Sequence, residues 1–262
     1  MKIAAFGSTY AGAYVFPTYK AADDLTTERP SSLQRVGSTS GAFDFLGSTA
    51  NPIMPLTVRK TFEIVASTYA GVETALDTAR SSLLAANESK LWALMRDGSK
   101  RWTYAKVTEF SAPESVGTRQ TIPVSVGFEC REGIWYAESE STTTKTGIGT
   151  ATLANAGNIL TPVKIVLTSP STSITAPFVH NQTNASKWTH ADMTLGAVLT
   201  VDAAAYSALL GSSDAYANMT IVDPFTFWLY LSPGNNTVDF NCSSFSGTNP
   251  VYVATWYSAW VM

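Results

Sequence analysis

The sequence predicts a mainly β protein, with an N-terminal β domain that carries one packed helix and a C-terminal β-sandwich. Three observations carry this reading. Period-two alternation recurs in short segments along the 262 residues, one segment has helical spacing instead, and the charge balance breaks near residue 147. Residues 1–147 hold 15 basic and 15 acidic side chains, whereas only Lys164 and Lys187 follow, against Asp192, Asp202, Asp214, Asp223 and Asp239. Such a break separates domains, here 1–143 from 148–262, although one large β domain also fits the length.

Residues 1–55 read as irregular, with one strand expected at Tyr14-Val15-Phe16 that stops at Pro17. The polar stretch 23–40 reads as a long loop, a feature usually functional or ordered by a partner. It closes with Gly41-Ala42-Phe43-Asp44-Phe45, whose phenylalanines suit either a pin to the core or an interface. Next, Leu56, Val58, Phe62 and Ile64 alternate with Thr57, Arg59, Thr61 and Glu63, which predicts a half-buried strand. Val72, Ala75, Leu76, Ala79, Leu83 and Ala86 then fall on one helical face, predicting a helix over 70–87, with Gly71 lowering its propensity. Asp97-Gly98 between two apolar runs predicts a hairpin with a two-residue turn. Ile122, Val124, Val126, Phe128 and Cys130 alternate most clearly. Pro123 on their opposite face cannot donate to a ladder, so this strand is expected at a sheet edge or with a bulge, where the proline either blunts the edge or marks a pairing surface.

The Ser- and Thr-rich stretch 138–158 reads as a linker or an exposed strand. Strands are expected at 162–167, near Phe178, around Trp188 and at 198–201, with a short helical turn within the alanine-rich 203–217. Phe225, Phe227, Leu229 and Leu231 alternate before a turn at 232–236, and Tyr252, Trp256 and Trp260 share one face of the last strand. Short strands at such spacing argue for a sandwich.

Several functions are disfavoured by composition. A net charge of −3 supplies no basic field for nucleic acid. Charged residues are only 14% of the chain, so the surface is either covered by neighbours or solubilised by hydroxyls. No apolar stretch reaches membrane-spanning length, and the N-terminus lacks the apolar core of a secretion signal, so synthesis in a host cytoplasm is expected. The sequons at Asn87, Asn181, Asn184, Asn218 and Asn241 then read as chance products of composition. Cys130 and Cys242 form neither a disulfide framework nor a metal spacing and read as buried hydrophobes. His180 and His190 have no second ligand at zinc spacing, Glu138 and Glu140 read as exposed like charges, and neither a Gly-x-Ser-x-Gly elbow nor a phosphate loop occurs. No catalytic, cofactor or metal site is therefore expected.

The residues do carry a resemblance. The run Phe225-Thr226-Phe227-Trp228-Leu229-Tyr230-Leu231-Ser232-Pro233-Gly234-Asn235-Asn236-Thr237-Val238 resembles the C-terminal strand–Leu-x-Pro-Gly-Asn-Asn–strand signature of siphophage-type distal tail proteins. Leu199-Thr200-Val201-Asp202, with Gly196 upstream, is similar to the family's Gly-x-x-Leu-x-Ile-Asp strand. Gly41-Ala42-Phe43-Asp44 and the run from Met95 to Ala105 are similar to tail proteins of this type, so the resemblance covers nearly the whole chain. It implies a galectin-like second sandwich and a non-enzymatic virion protein of the tail tip. It also implies a homo-oligomeric ring, a hexamer, docked between the tail tube protein and a tip hub or fibre protein. The interface candidates are Phe43 and Phe45 in the 20–50 loop, Arg59 in the 56–64 strand, the helix face and Pro123. Two alternatives stay open. One is another tube-type ring subunit. The other is a carbohydrate-binding, host-adhesion module whose aromatic platform would be Trp188, Tyr252, Trp256 and Trp260, although the second half lacks the arginine that galectin-type sites use.

Overall fold

The computed structural model describes residues 1–11, 13–17, 56–85, 87–113, 120–130, 133–169, 173–220 and 227–261, and the backbone alone of 22–26, 33–35 and 42–44. Strands take 56% of the described residues and helix 9%, so the protein is mainly β as its periodicity predicts. It divides into two compact units, Met1–Glu138 with Val261–Met262, and Ser139–Trp260.

The first unit holds β1 (Lys2–Phe6), β2 (Tyr14–Val15), β3 (Ala22–Thr26), β4 (Leu33–Arg35), β5 (Ala42–Asp44), β6 (Leu56–Val65), α1 (Tyr69–Leu84), β7 (Ser89–Leu94), β8 (Lys100–Ser111), β9 (Thr121–Cys130) and β10 (Ile134–Ala137). Its main sheet runs β2-β1-β7-β8-β9-β6-β3, with β10 also on β8, while β4 and β5 pair separately. The expectation that 1–55 is irregular is corrected: it supplies β1, β3 and the β4–β5 hairpin besides β2. These strands escaped a periodicity reading because their partners, not their own alternation, define them. Lys2–Phe6 is nearly all apolar, and Ala22–Thr26 is acidic yet pairs along Thr57–Thr61. The rest of the 23–40 stretch, and Phe45, lie outside the described residues.

β6 and β9 pair over ten residues, from Leu56↔Cys130 to Val65↔Thr121. Their apolar alternations therefore land on one face. Phe128 lies 5.3 Å from Phe6 and 5.9 Å from Phe16, whose ring is 5.6 Å from Phe62. Helix α1 buries Val72, Leu76, Ala79 and Leu83, and Ala75 is half-buried. It ends at Leu84, before the predicted 87, and Ala86 lies outside the described residues. Gly71 does not weaken the start. It is the third helical residue, and its N–H donates to the capping Thr68 hydroxyl at 3.1 Å.

Two further expectations change. The Asp97-Gly98 loop has three residues, not two. Gly98 N–H closes a β-turn on Met95 O, Gly98 takes φ +81°, and Met95 N–H meets Ser99 O at 2.8 Å. In addition, β9 is an inner strand between β8 and β6, not an edge, and the bulge lies in its partner β8, between Val107 and Glu109. Pro123 is tolerated because the β8 ladder has ended at Ser111↔Ser125.

The second unit is a two-sheet sandwich. Its strands are β11 (Ser141–Thr146), β12 (Gly149–Asn155), β13 (Thr161–Pro162), β14 (Lys164–Thr168), β15 (Ile174–Thr175), β16 (Phe178–Asn181), β17 (Lys187–His190), β18 (Val198–Asp202), β19 (Ser207–Leu210), β20 (Ser213–Asp214), β21 (Met219–Thr220), β22 (Tyr230–Leu231), β23 (Gly234–Asn241), β24 (Ser244–Phe245) and β25 (Val251–Trp256). One sheet is ordered β11-β25-β14-β18-β19-β20 and the other β12-β23-β16-β17-β21. Ile165, Leu199, Tyr252 and Trp256 from the first meet Leu153, Val179, Trp188 and Phe240 from the second in one buried cluster.

The 138–158 stretch is thus strand, not linker. β11 pairs with β25 throughout, and its Thr142, Thr144 and Thr146 face solvent. The 203–217 stretch is mainly the β19–β20 hairpin, and its helical turn is the 3₁₀ segment Tyr216–Asn218. The last strand breaks after Trp256, so Tyr252 and Trp256 share the core face while Trp260 sits apart and half-buried.

Candidate functional site

The second unit's Leu-x-Pro-Gly-Asn-Asn segment is held by side-chain amides. Asn236 is fully buried. Its Oδ1 accepts from Ser232 N–H at 2.9 Å and from Asn181 Nδ2 at 3.0 Å, and its Nδ2 donates to Ser232 O at 2.7 Å and Gly234 O at 3.1 Å. All four hydrogen-bonding positions of the amide are used. Asn181 and Asn184 both donate to Tyr230 O, at 2.7 and 2.8 Å, and Asn155 reaches Leu231 O at 3.2 Å. The two-residue β22 owes its place to these amides, because its only ladder partner among the described residues is β13. Gly234, at φ +89°, makes the turn that brings Asn236 back. Asn181, read from sequence as a chance sequon, is a structural clamp.

The predicted surface residues fall in different places. Arg59 projects from the outer face of β6 and pairs with Glu109 of β8 at 2.5 Å. Both stand opposite Gly127 of the intervening β9. A Cβ on Gly127 would lie 3.1 Å from Glu109 Cβ, so the missing side chain is what lets the pair close across a strand. Pro123 lines a groove of about 490 Å³ on the same sheet, with Thr61, Glu63, Ser111, Pro113 and Ser125. Phe43 lies in β5, opposite Gln34.

Trp188 and Trp256 are core residues, at 0% and 5% exposure, and Trp256 Nε1 donates to Ala154 O at 3.0 Å. Rings so enclosed cannot stack on a ligand, nor can Tyr252 at 0%. Trp260 is half-buried. Among the histidines, His190 is buried with Nδ1 2.6 Å from Ala191 O, which makes Nδ1 the donor, while His180 is half-buried on β16. Glu138 engages Lys100 at 3.2 Å. Cys130 is buried and uncharged, its thiol pushed up to about 12 by burial and by Glu129. Among the described residues, no group of three or more His, Cys, Asp or Glu is placed to hold a metal.

Sequence reasoning missed two aromatic clusters. In the first unit, Lys90 and Trp92 of β7 stand against Tyr104 and Trp102 of β8, with Tyr136 of β10 4.8 Å from the Trp102 ring. Lys90 Nζ lies 3.9 Å over Trp102, and burial lowers its pKa. Period-two spacing of Lys100, Trp102 and Tyr104 was the available signal. In the second unit, Trp228 gathers Tyr206 at 5.6 Å, Tyr216 at 6.2 Å and Phe227 at 4.8 Å. Tyr206 is 64% exposed and sits at φ +51°, a left-handed conformation that costs a bulky residue about 1–3 kcal/mol. No periodicity announces these rings, which lie on turns.

No family model matches this chain, and no curated protein matches it. Solved structures do. The SPP1 Dit protein, described as a paradigm of the hub adsorption apparatus in phages infecting Gram-positive hosts, is similar at TM-score 0.56 and 14% identity, over 91% of this chain and 88% of that one. The chain has the fold of a phage distal tail protein. A chain of the phage p2 baseplate in its activated conformation aligns over 97% and 98% at TM-score 0.48 and 7% identity. The fold assignment rests on the SPP1 protein, whose match covers 91% of this chain and so extends into both units.

Proposed function

We propose that this chain is a structural, non-enzymatic virion protein that forms the ring joining a phage tail tube to the tail tip. The observation that carries this reading is the two-unit fold shared with SPP1 Dit over nine-tenths of the chain. The signature segment supports it independently, because Gly234 and Asn236 each have a physical task that the motif's residue types serve.

The ring is a homo-oligomer, a hexamer, with the tail tube protein on one side and a hub or fibre protein on the other. Cyclic closure requires two different complementary patches per subunit. The outer face of β6, β9 and β8, with Arg59 and the groove beside Pro123, supports one of them: it is a broad sheet face with a concave feature at its end. The β5 strand with Phe43, and Phe45 after it, belong to the same proposal as a second contact region. The test is light scattering and negative-stain imaging of the purified chain, alone and with isolated tail tubes. Six-fold rings with a central channel, free or on tube ends, are expected. A chain that stays monomeric at high concentration and leaves tube ends bare overturns the reading.

A further inference from the structure

We infer that the aromatic cluster of the second unit is a binding site for a neutral saccharide, formed by Tyr206, Tyr216 and Trp228 with the Tyr230 hydroxyl. This goes beyond the ring role, and it uses none of the rings expected from sequence to form a sugar platform.

Three features of the cluster point to this ligand. First, the rings are presented rather than packed away. Tyr206 and Tyr216 are 64% and 43% exposed, while Trp228 between them is half-buried and holds both at ring-contact distance, stacked on Tyr216 and edge-on to Tyr206. The turns that present them are fixed. Asp202 Oδ1 accepts from Ala204 and Ala205 N–H at 2.9 and 3.2 Å, and Asp214 Oδ1 accepts from Tyr216 N–H at 2.8 Å. Among the described residues, three non-glycine positions have positive φ and Tyr206 is the one bulky side chain of the three, so the backbone holds an exposed ring in an unfavourable conformation.

Second, the polar groups beside the rings suit hydroxyls. The Tyr230 hydroxyl donates to the Tyr206 hydroxyl at 3.3 Å, burial raises the Tyr230 pKa above its ordinary value, and a phenolic hydroxyl both donates and accepts. The turn carboxylates use Oδ1 for the backbone, which leaves their second oxygens as acceptors. Third, charge selects the ligand. The 202–218 segment holds Asp202 and Asp214 and no basic residue, the nearest in register being Lys164 opposite Asp202. Acids beside flat apolar rings disfavour phosphate, sulfate and uronate groups and admit a ring with C–H faces and hydroxyl edges, which is a neutral sugar. The exposed residues that flank the two tyrosines in the chain, Ala204, Ala205, Ser212 and Ser213, are short-chained, unlike the broad patch a protein interface requires.

The test is ligand-observed saturation-transfer NMR on the full chain with a panel of neutral tetrasaccharides of hexose, N-acetylhexosamine and 6-deoxyhexose type, and with tetragalacturonate as the anionic control. At least one neutral oligosaccharide is expected to receive saturation, tetragalacturonate none. The Tyr206→Ala/Tyr216→Ala variant, checked for an unchanged circular dichroism spectrum, is expected to bind at least tenfold more weakly. Trp188→Phe, a core substitution remote from solvent, is expected to retain binding. Saturation of no neutral sugar, or full binding by the double variant, overturns the site. Loss of ring or tail assembly in the double variant without any sugar signal assigns the cluster to a protein partner instead. Ring formation is read separately by light scattering, so failure of the sugar site leaves the tail-ring reading intact.

Discussion

In the first unit β6 and β9 pair over ten residues without interruption, and on the outer face Arg59 of β6 meets Glu109 of β8 as an ion pair across β9. In the second unit the two-residue β22 has, among the described residues, a single short ladder partner, and the carbonyls of Tyr230 and Leu231 are satisfied by three asparagine side chains from two other segments. The same need, a partner for every backbone polar group, is met by ladder along β6 and β9 and by buried amides at β22. Long ladders leave the outer faces free for exposed ion pairs, which cost little. A sandwich cross-linked by buried side chains uses uncharged amides, because buried ions would pay a desolvation penalty far larger than an amide's.

The largest effect expected from breaking this contrast is at Asn236. Asn236→Ala removes four hydrogen bonds at once and strands buried partners, including Ser232 N–H and the Asn181 amide. A loss of about 2–4 kcal/mol is expected, from a cost of about 1–3 kcal/mol for a stranded buried group and partial relaxation of the rest. Denaturant unfolding followed through hydrogen exchange of the β16 and β23 amides measures it. A loss below about 1 kcal/mol would show that the amide clamp is dispensable.

Alkaline pH probes the first unit next. The Cys130 thiol is raised from an ordinary value of 9.0 to about 12. The folded state therefore holds its proton more tightly than the unfolded chain. The stabilisation is fully present below the unfolded pKa and is lost as pH rises from about 9 through 12. Unfolding midpoints of wild type should fall between pH 9 and 11 more steeply than those of Cys130→Ala. Equal slopes would remove Cys130 as the source.

The smallest effect is expected at the ion pair. Arg59 and Glu109 side chains are 53% and 47% exposed, so Arg59→Ala should change stability by less than about 1 kcal/mol. If the outer face is a ring contact, the same variant weakens assembly far more than folding, and light scattering beside thermal unfolding separates the two.

Much of this protein was legible without coordinates. The alternation of Leu56 to Ile64 and of Ile122 to Cys130, and the helical spacing of Val72 to Leu83, determined two long strands and the helix, since a buried face leaves its period in the sequence. The Pro-Gly-Asn-Asn run marked the turn that Gly234 makes at φ +89°. Partners and exposure were decided only by tertiary structure. β3 is acidic and has no alternation, yet the sheet recruits it through β6. Pro123 reads as an edge marker, yet β9 lies between β8 and β6, and the proline is tolerated there because the β8 ladder ends two residues short of it. The tryptophans Trp188 and Trp256 could be surface or core by sequence, and the packing of two sheets put both inside. The exposed rings of Tyr206 and Tyr216 sit on turns, where no periodicity exists to report which way a side chain faces. Local pattern determines what a segment can be, and only the summed burial of distant segments determines which of its faces meets water.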